Sequence, residues 1–246
     1  MKVIVYGANG AMGRKVAELE GEREGFTVAA LVSPSFAGSK KDKEYGSIRE
    51  YKGAANVVID FSNHSAAGEL LSYCRSNGMP VVIATTGHTD EEKALIKEAS
   101  KDIPIFYSAN MSMGVAATCE LAKKAAMYLP GADIEIVEIH HNRKLDAPSG
   151  TALMLANSIK EVRRDSEIVT GRSGHCKRQP NEIGIQSVRL GNIVGTHEVM
   201  ISTGKETITI RHEAHDRALF ADGAAVAAEY LVGKPAGLYN MKDLMR

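Results

Sequence analysis

The chain of 246 residues is long enough for one large domain or two smaller ones, and its 44% hydrophobic and 24% charged residues are typical of a folded globular protein. Its 30 basic residues balance its 30 acidic ones, so no overall positive field marks a nucleic-acid-binding or membrane-surface protein. The 3 cysteines are far apart and form no disulfide framework, and no apolar run approaches the ~18 residues that a membrane helix needs. We therefore expect a cytoplasmic protein with neither nucleic acid nor membrane as partner.

The first half of the chain predicts a parallel sheet. Residues 3–6 form a β-branched apolar run, and a glycine-rich turn, a helix from residue 14 and a second strand over residues 27–32 complete one βαβ unit. Further apolar runs lie at residues 56–61, 80–84 and 104–107, with helical patterns at residues 66–76 and 90–100. Short apolar strands that alternate with helices are typical of a sheet covered on both faces.

After residue 111 the pattern changes to that of a second domain. A helix is predicted over residues 113–128, an alternating strand over 134–140, a helix after Pro148 and a polar loop over 171–184. Strands follow at 185–190, 194–203 and 206–212, and the last helix, 222–232, is apolar enough to pack on the first domain. The expected fold is α/β, with a Rossmann-like dinucleotide-binding domain over 1–111 and 221–246. A second α+β domain with a mixed sheet covers 112–220.

Three glycines follow the first strand and open the first helix. Gly7, Gly10 and Gly13 have the spacing G-x-x-G-x-x-G, which is looser than G-x-G-x-x-G but stands in the strand–turn–helix context that dinucleotide sites require. Glycines let the backbone N–H groups approach a pyrophosphate, and the helix N-terminus adds positive potential. The alternative is a turn that needs positive φ and binds nothing.

The second strand ends at Ser33 without the acidic residue that usually holds the ribose 2′-hydroxyl of NAD. Lys40, Lys41 and Lys43 follow and could accept a 2′-phosphate, unless they are only a solvated loop. The residues therefore favour NADPH or mixed use of NADPH and NADH. Two later strands end in small or hydroxyl residues, at Ala84–Gly87 and Ser108–Met111, where a flat ring could lie close to the backbone.

The segment from residue 138 to 151 carries the most chemistry. It contains His140, His141 and Lys144 before a helix start at Gly150 and Thr151. Pro148 pre-sets helical φ, and Ser149 or Asp146 is a candidate cap. An imidazole, an ammonium group and helix N–H groups together suit an anionic substrate that takes up a proton. Because adjacent strand residues face opposite ways, His140 and His141 are not expected to share one role.

Several competing interpretations of other residues are weaker. A metal site recruiting His175 and Cys176 fits no closed zinc spacing, so no metal is expected. The basic loop residues Arg172, Lys177 and Arg178 either close over a substrate or are solvated. The pair Tyr230 and Lys234 matches the Y-x-x-x-K of short-chain dehydrogenases, but it stands at the end of the last helix and is interpreted as chance.

Taken together, these motifs resemble the 4-hydroxy-tetrahydrodipicolinate reductase (dihydrodipicolinate reductase) family. The resemblance is carried by GANGAMG at residues 7–13, ATTG at 84–87, SANM at 108–111 and above all HHNRKLDAPSGT at 140–151. It also covers residues 191–197 and 233–244, and so extends over essentially the whole chain. One departure is Ser33, since other members carry an acid, or an acid and an arginine, after the second strand.

The resemblance implies reduction of a small cyclic dicarboxylate by NADPH or NADH in the diaminopimelate route to lysine. It implies that His140 is the proton donor, that Lys144 assists, and that His141, Gly150 and Thr151 bind the substrate. It also implies a homotetramer joined through the sheet of the second domain. The expected cofactor-binding residues are Gly7, Ala8, Asn9, Gly10, Ala11, Met12, Ser33, Ala84, Thr85, Thr86, Ser108, Ala109, Asn110 and Met111.

Two other functions are considered beside the reductase. One is a redox-sensing NAD(P)-binding regulator without catalysis, which would have no need for the set His140, Lys144 and Thr151. The other is an oxidoreductase of related fold that acts on a different small acid. Consumption of the substrate separates all three.

Overall fold

The computed structural model describes residues 1–245, which form two compact units. The first consists of Met1–Ser112 and the segment that begins at Ala218, and the second is Met113–Arg217. The strands are β1 (Lys2–Tyr6), β2 (Thr27–Val32), β3 (Glu44–Tyr45), β4 (Val57–Asp60), β5 (Val81–Ile83), β6 (Pro104–Tyr107), β7 (Asp133–His140), β8 (Glu167–Thr170), β9 (Glu182–Arg189), β10 (Gly195–Ser202), β11 (Thr207–Ala214) and β12 (Gly237–Tyr239). The helices are α1 (Ala11–Glu22), α2 (Ala67–Ser76), α3 (Asp90–Ala99), α4 (Met113–Tyr128), α5 (Gly150–Lys160), α6 (Ala218–Leu231) and α7 (Met241–Leu244).

The first unit contains a parallel sheet in the order β12-β6-β5-β4-β1-β2-β3, as the α/β interpretation predicts. The continuous apolar strands are buried on both faces, which is what a parallel sheet between helices requires. Helices α2 and α3 pack on one face through Leu70, Cys74 and Ile96. Helices α1 and α6 cover the other face, where Tyr230 of α6 packs edge-on against Phe106. All strand C-termini consequently lie along one edge.

The second unit contains a mixed sheet in the order β11-β10-β7-β9-β8. Strand β10 pairs antiparallel with β7 and β11, whereas β9 pairs parallel with β7 and β8. The alternating pattern of β7 places Ile134 and Ile136 against α4 and α5, in a core shared with Leu155 and Val199. The opposite face of this sheet is more exposed.

Some predicted boundaries need correction. The predicted loop over 171–184 ends at residue 181, because Glu182–Gly184 already belong to β9, and β8 before it was not predicted. Pro148 is not the first helical residue; it precedes Ser149, which caps α5. Helix α6 begins at Ala218 rather than at residue 222. No helix within residues 1–245 combines the length and apolar character that crossing a bilayer requires.

Candidate functional site

The predicted cofactor residues of the first unit lie along one sheet edge. Gly7 follows β1, Ser33 follows β2, Ala84 follows β5 and Ser108 follows β6. These strands are parallel and, together with β4, neighbours in the sheet, so their C-terminal ends meet. In open α/β sheets this edge is where ligands bind.

The glycine turn has no room for a side chain at Gly7 or at Gly13. Gly7 has φ +85°, and a Cβ there would lie 2.6 Å from the Phe61 carbonyl carbon. A Cβ on Gly13 would lie 2.7 Å from Ala8 Cα and closer still to the Gly7 carbonyl oxygen. Gly10 is the N-cap of α1 and supplies no capping side chain. The turn therefore fits the diphosphate of a dinucleotide, since such a cradle and helix N-terminus accept anions.

Hydrogen bonds tie the glycine turn to the neighbouring strand ends. The Ser62 amide donates to both Asp60 Oδ1 (2.9 Å) and Thr85 Oγ1 (2.8 Å). Asp60 is 2% exposed, and burial raises its pKa to about 6, although hydrogen bonds from Ser62 and Thr85 oppose the shift. The amides of Gly7 and Ala8 both donate to the Val32 carbonyl, so these two residues shape the turn through contacts with β2.

The next strand end is ordered by short local bonds. Ser108 Oγ donates to the Asn110 carbonyl at 2.7 Å, and Asn110 Oδ1 accepts from the Ser112 amide at 2.8 Å. These bonds hold residues 108–112 in a compact turn at the end of β6. Met111 is 2% exposed, and its carbonyl packs against Gly223 of α6, so this residue contributes mainly through its backbone.

The structure gives the predicted 2′-phosphate residues other partners. Ser33 is 8% exposed, and its Oγ accepts from the Ser35 amide. Lys43 Nζ pairs with Glu20 at 2.9 Å, and Lys41 Nζ lies 3.8 Å from Glu44. A 2′-phosphate would thus compete with carboxylates for two of the three lysines.

In the second unit, strand register builds a polar cluster on the helix-facing side of the sheet. Glu138 and His140 lie two residues apart on β7 and share a face. His197 of β10 pairs with Glu138, and Arg189 of β9 pairs with His140. The imidazole rings of His140 and His197 are 5.1 Å apart and edge-to-face.

Glu138 is the centre of this cluster. Its carboxylate is 0% exposed and accepts from His140 Nδ1 (2.5 Å) and from Arg189 Nη1 (3.0 Å) and Nη2 (2.8 Å). Burial raises the pKa of Glu138, but hydrogen bonds from Arg189, Ser187 and His140 outweigh burial and hold it below its ordinary value. Burial lowers the pKa of His140, and contact with Glu138 opposes that shift. The cluster therefore contains an ionised carboxylate beside an imidazole that can exchange a proton.

Ser149 connects the cluster to the start of α5. Its Oγ accepts from the Ala152 amide and lies 3.0 Å from His197 Nε2, and its amide donates to Glu138 Oε1. Burial lowers the pKa of His197 to about 4, so His197 is neutral near neutral pH. The predicted substrate residues Gly150 and Thr151 form the first turn of α5, where the helix dipole favours an anion.

The loop after β7 is rich in cations. Lys144 Nζ pairs with Asp146 at 2.8 Å, and Arg189 also donates to the Asp146 carbonyl. His141 lies beyond the strand end, and its Nε2 is 3.5 Å from Arg217 Nη2. Positive neighbours contribute, after burial, to lowering the pKa of His141. Lys144 and Arg217 are therefore positive groups of this loop region, and His141 is a neutral imidazole beside Arg217.

The other candidate metal-binding, basic-loop and tyrosine–lysine groups already make contacts within the protein. Glu138, His140 and His197 bring three potential metal-ligand atoms within 4.8 Å, but both carboxylate oxygens already accept from Arg189. Arg172 pairs with Glu182 in the predicted basic loop, and Arg178 pairs with Glu135. The pair Tyr230 and Lys234 forms a cation–π contact within an aromatic cluster that includes Phe106 and Tyr239.

The sequence interpretation assigned no role to Glu138, Arg189, His197 or Arg217. Only Glu138 carried a local signal, because it stands two residues before His140 on a predicted strand and must share its face. Arg189 and His197 join the site through strand pairing, which the linear pattern does not give.

Comparisons with known proteins agree along the whole chain. The family description "Dihydrodipicolinate reductase, N-terminus" matches residues 1–111, and "Dihydrodipicolinate reductase, C-terminus" matches residues 114–245. The chain is 48% identical to a 4-hydroxy-tetrahydrodipicolinate reductase of Caldanaerobacter subterraneus subsp. tengcongensis, covering 100% of this chain and 98% of that protein. Identity to the Clostridium novyi protein of the same name is 43%, with the same coverage. A dipicolinate-bound dihydrodipicolinate reductase from Paenisporosarcina sp. TG-14 shares the fold, with a TM-score of 0.77, 23% identity, and coverage of 98% of this chain and 97% of the other.

Proposed function

Because the chain belongs to the dihydrodipicolinate reductase family of NAD(P)H-dependent oxidoreductases, we propose that it reduces 4-hydroxy-tetrahydrodipicolinate to tetrahydrodipicolinate with His140 as proton donor. This is the reductive step of diaminopimelate and lysine biosynthesis. One observation carries the proposal: a buried imidazole, hydrogen-bonded to a carboxylate, stands at the strand end from which a cationic loop leads to a helix N-terminus. A regulator without catalysis has no use for that arrangement.

The first unit binds the coenzyme in this proposal. The turn from Gly7 to Met12 cradles the diphosphate, and the ends of β5 and β6, with Ala84, Thr85, Thr86 and residues 108–111, border the nicotinamide. When bound, the reduced nicotinamide supplies a hydride to the substrate ring. Asp60 and Ser62 keep Thr85 in place through the shared hydrogen bonds of the Ser62 amide.

The second unit binds the dicarboxylate and supplies the proton. Backbone N–H groups of Gly150 and Thr151 donate to one carboxylate at the positive end of α5. Lys144 compensates the substrate's negative charge and stabilises charge that develops during reduction, and His141 contributes to substrate binding as a hydrogen-bonding imidazole. The His140 imidazole donates the proton, and the 4-hydroxyl leaves as water, so that one hydride and one proton balance the product. The dipicolinate bound in the relative from Paenisporosarcina supports a ligand of this class.

The experiment follows the nicotinamide absorbance with freshly prepared 4-hydroxy-tetrahydrodipicolinate and either NADH or NADPH. His140→Asn and Lys144→Ala should lower kcat by roughly 10²–10⁴-fold, the share that general acid–base catalysis supplies, with coenzyme Kd near the wild-type value. His175→Asn, which changes an exposed histidine of the 171–181 loop, is the matched control. If the wild type consumes neither NADH nor NADPH with this substrate, the reductase function is rejected. If the two variants lose coenzyme binding, His140 and Lys144 belong to the coenzyme site rather than to the substrate site.

The proposed coenzyme use is dual, with both NADPH and NADH accepted. Its support is the end of β2, where Ser33 replaces the usual acid and no carboxylate of that turn would repel a 2′-phosphate. Ser33→Asp should therefore weaken NADPH binding more than NADH binding, measured by titration with each coenzyme. Unchanged NADPH affinity would contradict this placement of the 2′-phosphate.

We also propose a cytoplasmic homotetramer. Val137, Ile139 and Met200 lie on the sheet face opposite α4 and α5, where they are only partly buried within one chain, and Val188 is 39% exposed. A second chain on this face would complete their burial. The free state of Cys74, Cys119 and Cys176 suits a reducing compartment. Light scattering should give the mass of four chains. Met200→Lys, which places a charge on this face, should lower the measured mass of the assembly.

A further inference from the structure

We propose that Glu138 is a positioning residue, whose carboxylate fixes a proton on His140 Nδ1 and leaves Nε2 as the nitrogen that exchanges a proton with the substrate. The proposal rests on the role of His140 as proton donor argued above. The distance from Glu138 Oε2 to Nδ1 is 2.5 Å. An ionised carboxylate can only accept, so the proton between the two atoms belongs to the imidazole.

Arg189 holds this carboxylate in one orientation. Its two terminal nitrogens donate to the two Glu138 oxygens at 3.0 and 2.8 Å, a bidentate arrangement with defined geometry. The Ser149 amide adds a third donor at 3.2 Å. Arg189 Nη2 also donates to the Asp146 carbonyl at 2.6 Å, so one guanidinium orders both the carboxylate and the loop that carries Lys144.

The other ring nitrogen has space beside it. A Cβ on Gly195 would lie 3.0 Å from His140 Nε2, so the absence of a side chain at this β10 position keeps the nitrogen uncovered. The His140 side chain is 11% exposed, which gives the buried ring a limited opening. A proton donor needs a fixed tautomer and one accessible nitrogen, and these contacts provide both.

The charged groups around His140 act in opposite directions. Glu138 raises its pKa, while burial, Lys144 and Arg189 lower it. His197 faces it from β10 and is neutral near pH 7, and His141 is its chain neighbour. Removing the negative charge of Glu138 should therefore lower the pKa of His140, whereas removing the positive charge of Arg189 should raise it.

The direct test is the tautomer itself, read from long-range ¹H–¹⁵N NMR spectra of the full-length protein at a pH where His140 is neutral. His140→Asn identifies the signals among the 8 histidines. Wild type should show the Nδ1–H form. In Glu138→Gln the amide must give its oxygen to Arg189 and its NH₂ group to Nδ1, so the proton should move to Nε2. An Nε2–H form in wild type, or no change in the variant, would overturn the proposal.

Kinetics add a readout that a merely structural residue would not move. In the pH profile of kcat/KM, the basic limb should shift to lower pH in Glu138→Gln. At pH 8 this variant should lose at least about tenfold in kcat/KM, which is part of the contribution that general acid catalysis makes. In Arg189→Met the limb should shift to higher pH. Glu135→Gln, which changes the β7 glutamate on the opposite face of the sheet, should leave the limb in place. A uniform loss at every pH would show a structural role only and overturn the proposal.

The two hypotheses fail in different ways. If the tautomer behaves as expected but His140→Asn keeps its full rate, the positioning geometry stands and the proton-donor role falls. If His140→Asn is inactive but Glu138→Gln changes neither tautomer nor limb, the reaction stands and the role of Glu138 falls. Should Glu138→Gln not fold, the wild-type tautomer and the Arg189→Met profile decide alone.

Discussion

Two identical substitutions within α1 should have opposite effects on the protein. A Cβ added at Gly13 would lie 2.7 Å from Ala8 Cα and 2.8 Å from the Gly7 carbonyl carbon. Both distances are roughly 1 Å inside the 3.5–4.0 Å optimum for carbon atoms, and both neighbours are backbone, so the turn itself must move. At Gly21, in the last turn of the same helix, a Cβ would meet no atom within 4 Å.

Gly13→Ala should therefore cost about 1–3 kcal/mol of unfolding free energy, the usual range for overpacking. Gly21→Ala should instead add about 0.5–1 kcal/mol, because alanine restricts the unfolded chain. Since the turn moved by Gly13→Ala is the proposed diphosphate cradle, its coenzyme Kd should rise about tenfold or more, while Gly21→Ala keeps the wild-type value. Urea unfolding followed by circular dichroism and fluorescence titration with NADPH measure the two quantities. Equal stability and equal affinity in both variants would refute the steric argument.

Three further changes test other parts of the structure. Ser149→Ala removes the cap that accepts from Ala152 and should cost about 0.5–2 kcal/mol in urea unfolding; an unchanged midpoint would contradict the cap. Asp60 has a pKa of about 6 in the folded protein against the ordinary 3.8, so the stability that its protonated carboxyl contributes is fully present only below 3.8 and is lost as pH rises through 6. From pH 4 to 7 the wild type should therefore lose about 2 kcal/mol of unfolding free energy relative to Asp60→Asn; parallel curves would contradict this. Within residues 1–245, Arg217 has no acidic partner and lies beside His141, so we expect it to bind the anionic substrate. Arg217→Leu should raise the substrate KM about tenfold and leave the coenzyme KM unchanged; a rise in the coenzyme KM alone would indicate that Arg217 binds the coenzyme instead.

The strands and the turn of the proposed coenzyme site could be predicted from the sequence because their signals are local. The glycine turn, the strand before it and the helix after it lie within one short stretch, and parallel strands necessarily bring Gly7, Ala84 and Ser108 to one edge. The structure adds contacts that no pattern announces, such as the shared Ser62 amide between Asp60 and Thr85.

The proposed substrate site depends on pairings between distant strands. His140 and Lys144 belong to one recognisable segment, but Arg189 and His197 reach it only through the register of β9 and β10 with β7. A shift of one residue in β9 would turn Arg189 to the other face, and the same shift in β10 would turn His197. The sequence pattern predicted these strands without fixing their register, so Arg189 and His197 could not be assigned to the site from the sequence.

The boundary errors have similar causes. Strand β8 has four residues and no fully buried one, so its hydrophobic signal is weak. Glu182–Gly184 looks like loop because it follows a polar stretch, yet parallel pairing with β7 and β8 places it in the sheet. Long-range pairing overrode local composition in both places.

The central claim is that the dicarboxylate substrate is held by the start of α5 and protonated by His140. A crystal structure with NADPH and pyridine-2,6-dicarboxylate tests it most directly. We predict one carboxylate on the backbone N–H groups of Gly150 and Thr151, with Lys144 beside the ligand and His140 Nε2 turned toward its ring. A dicarboxylate bound away from α5, or an imidazole that presents Nδ1 to the ligand, would contradict the account.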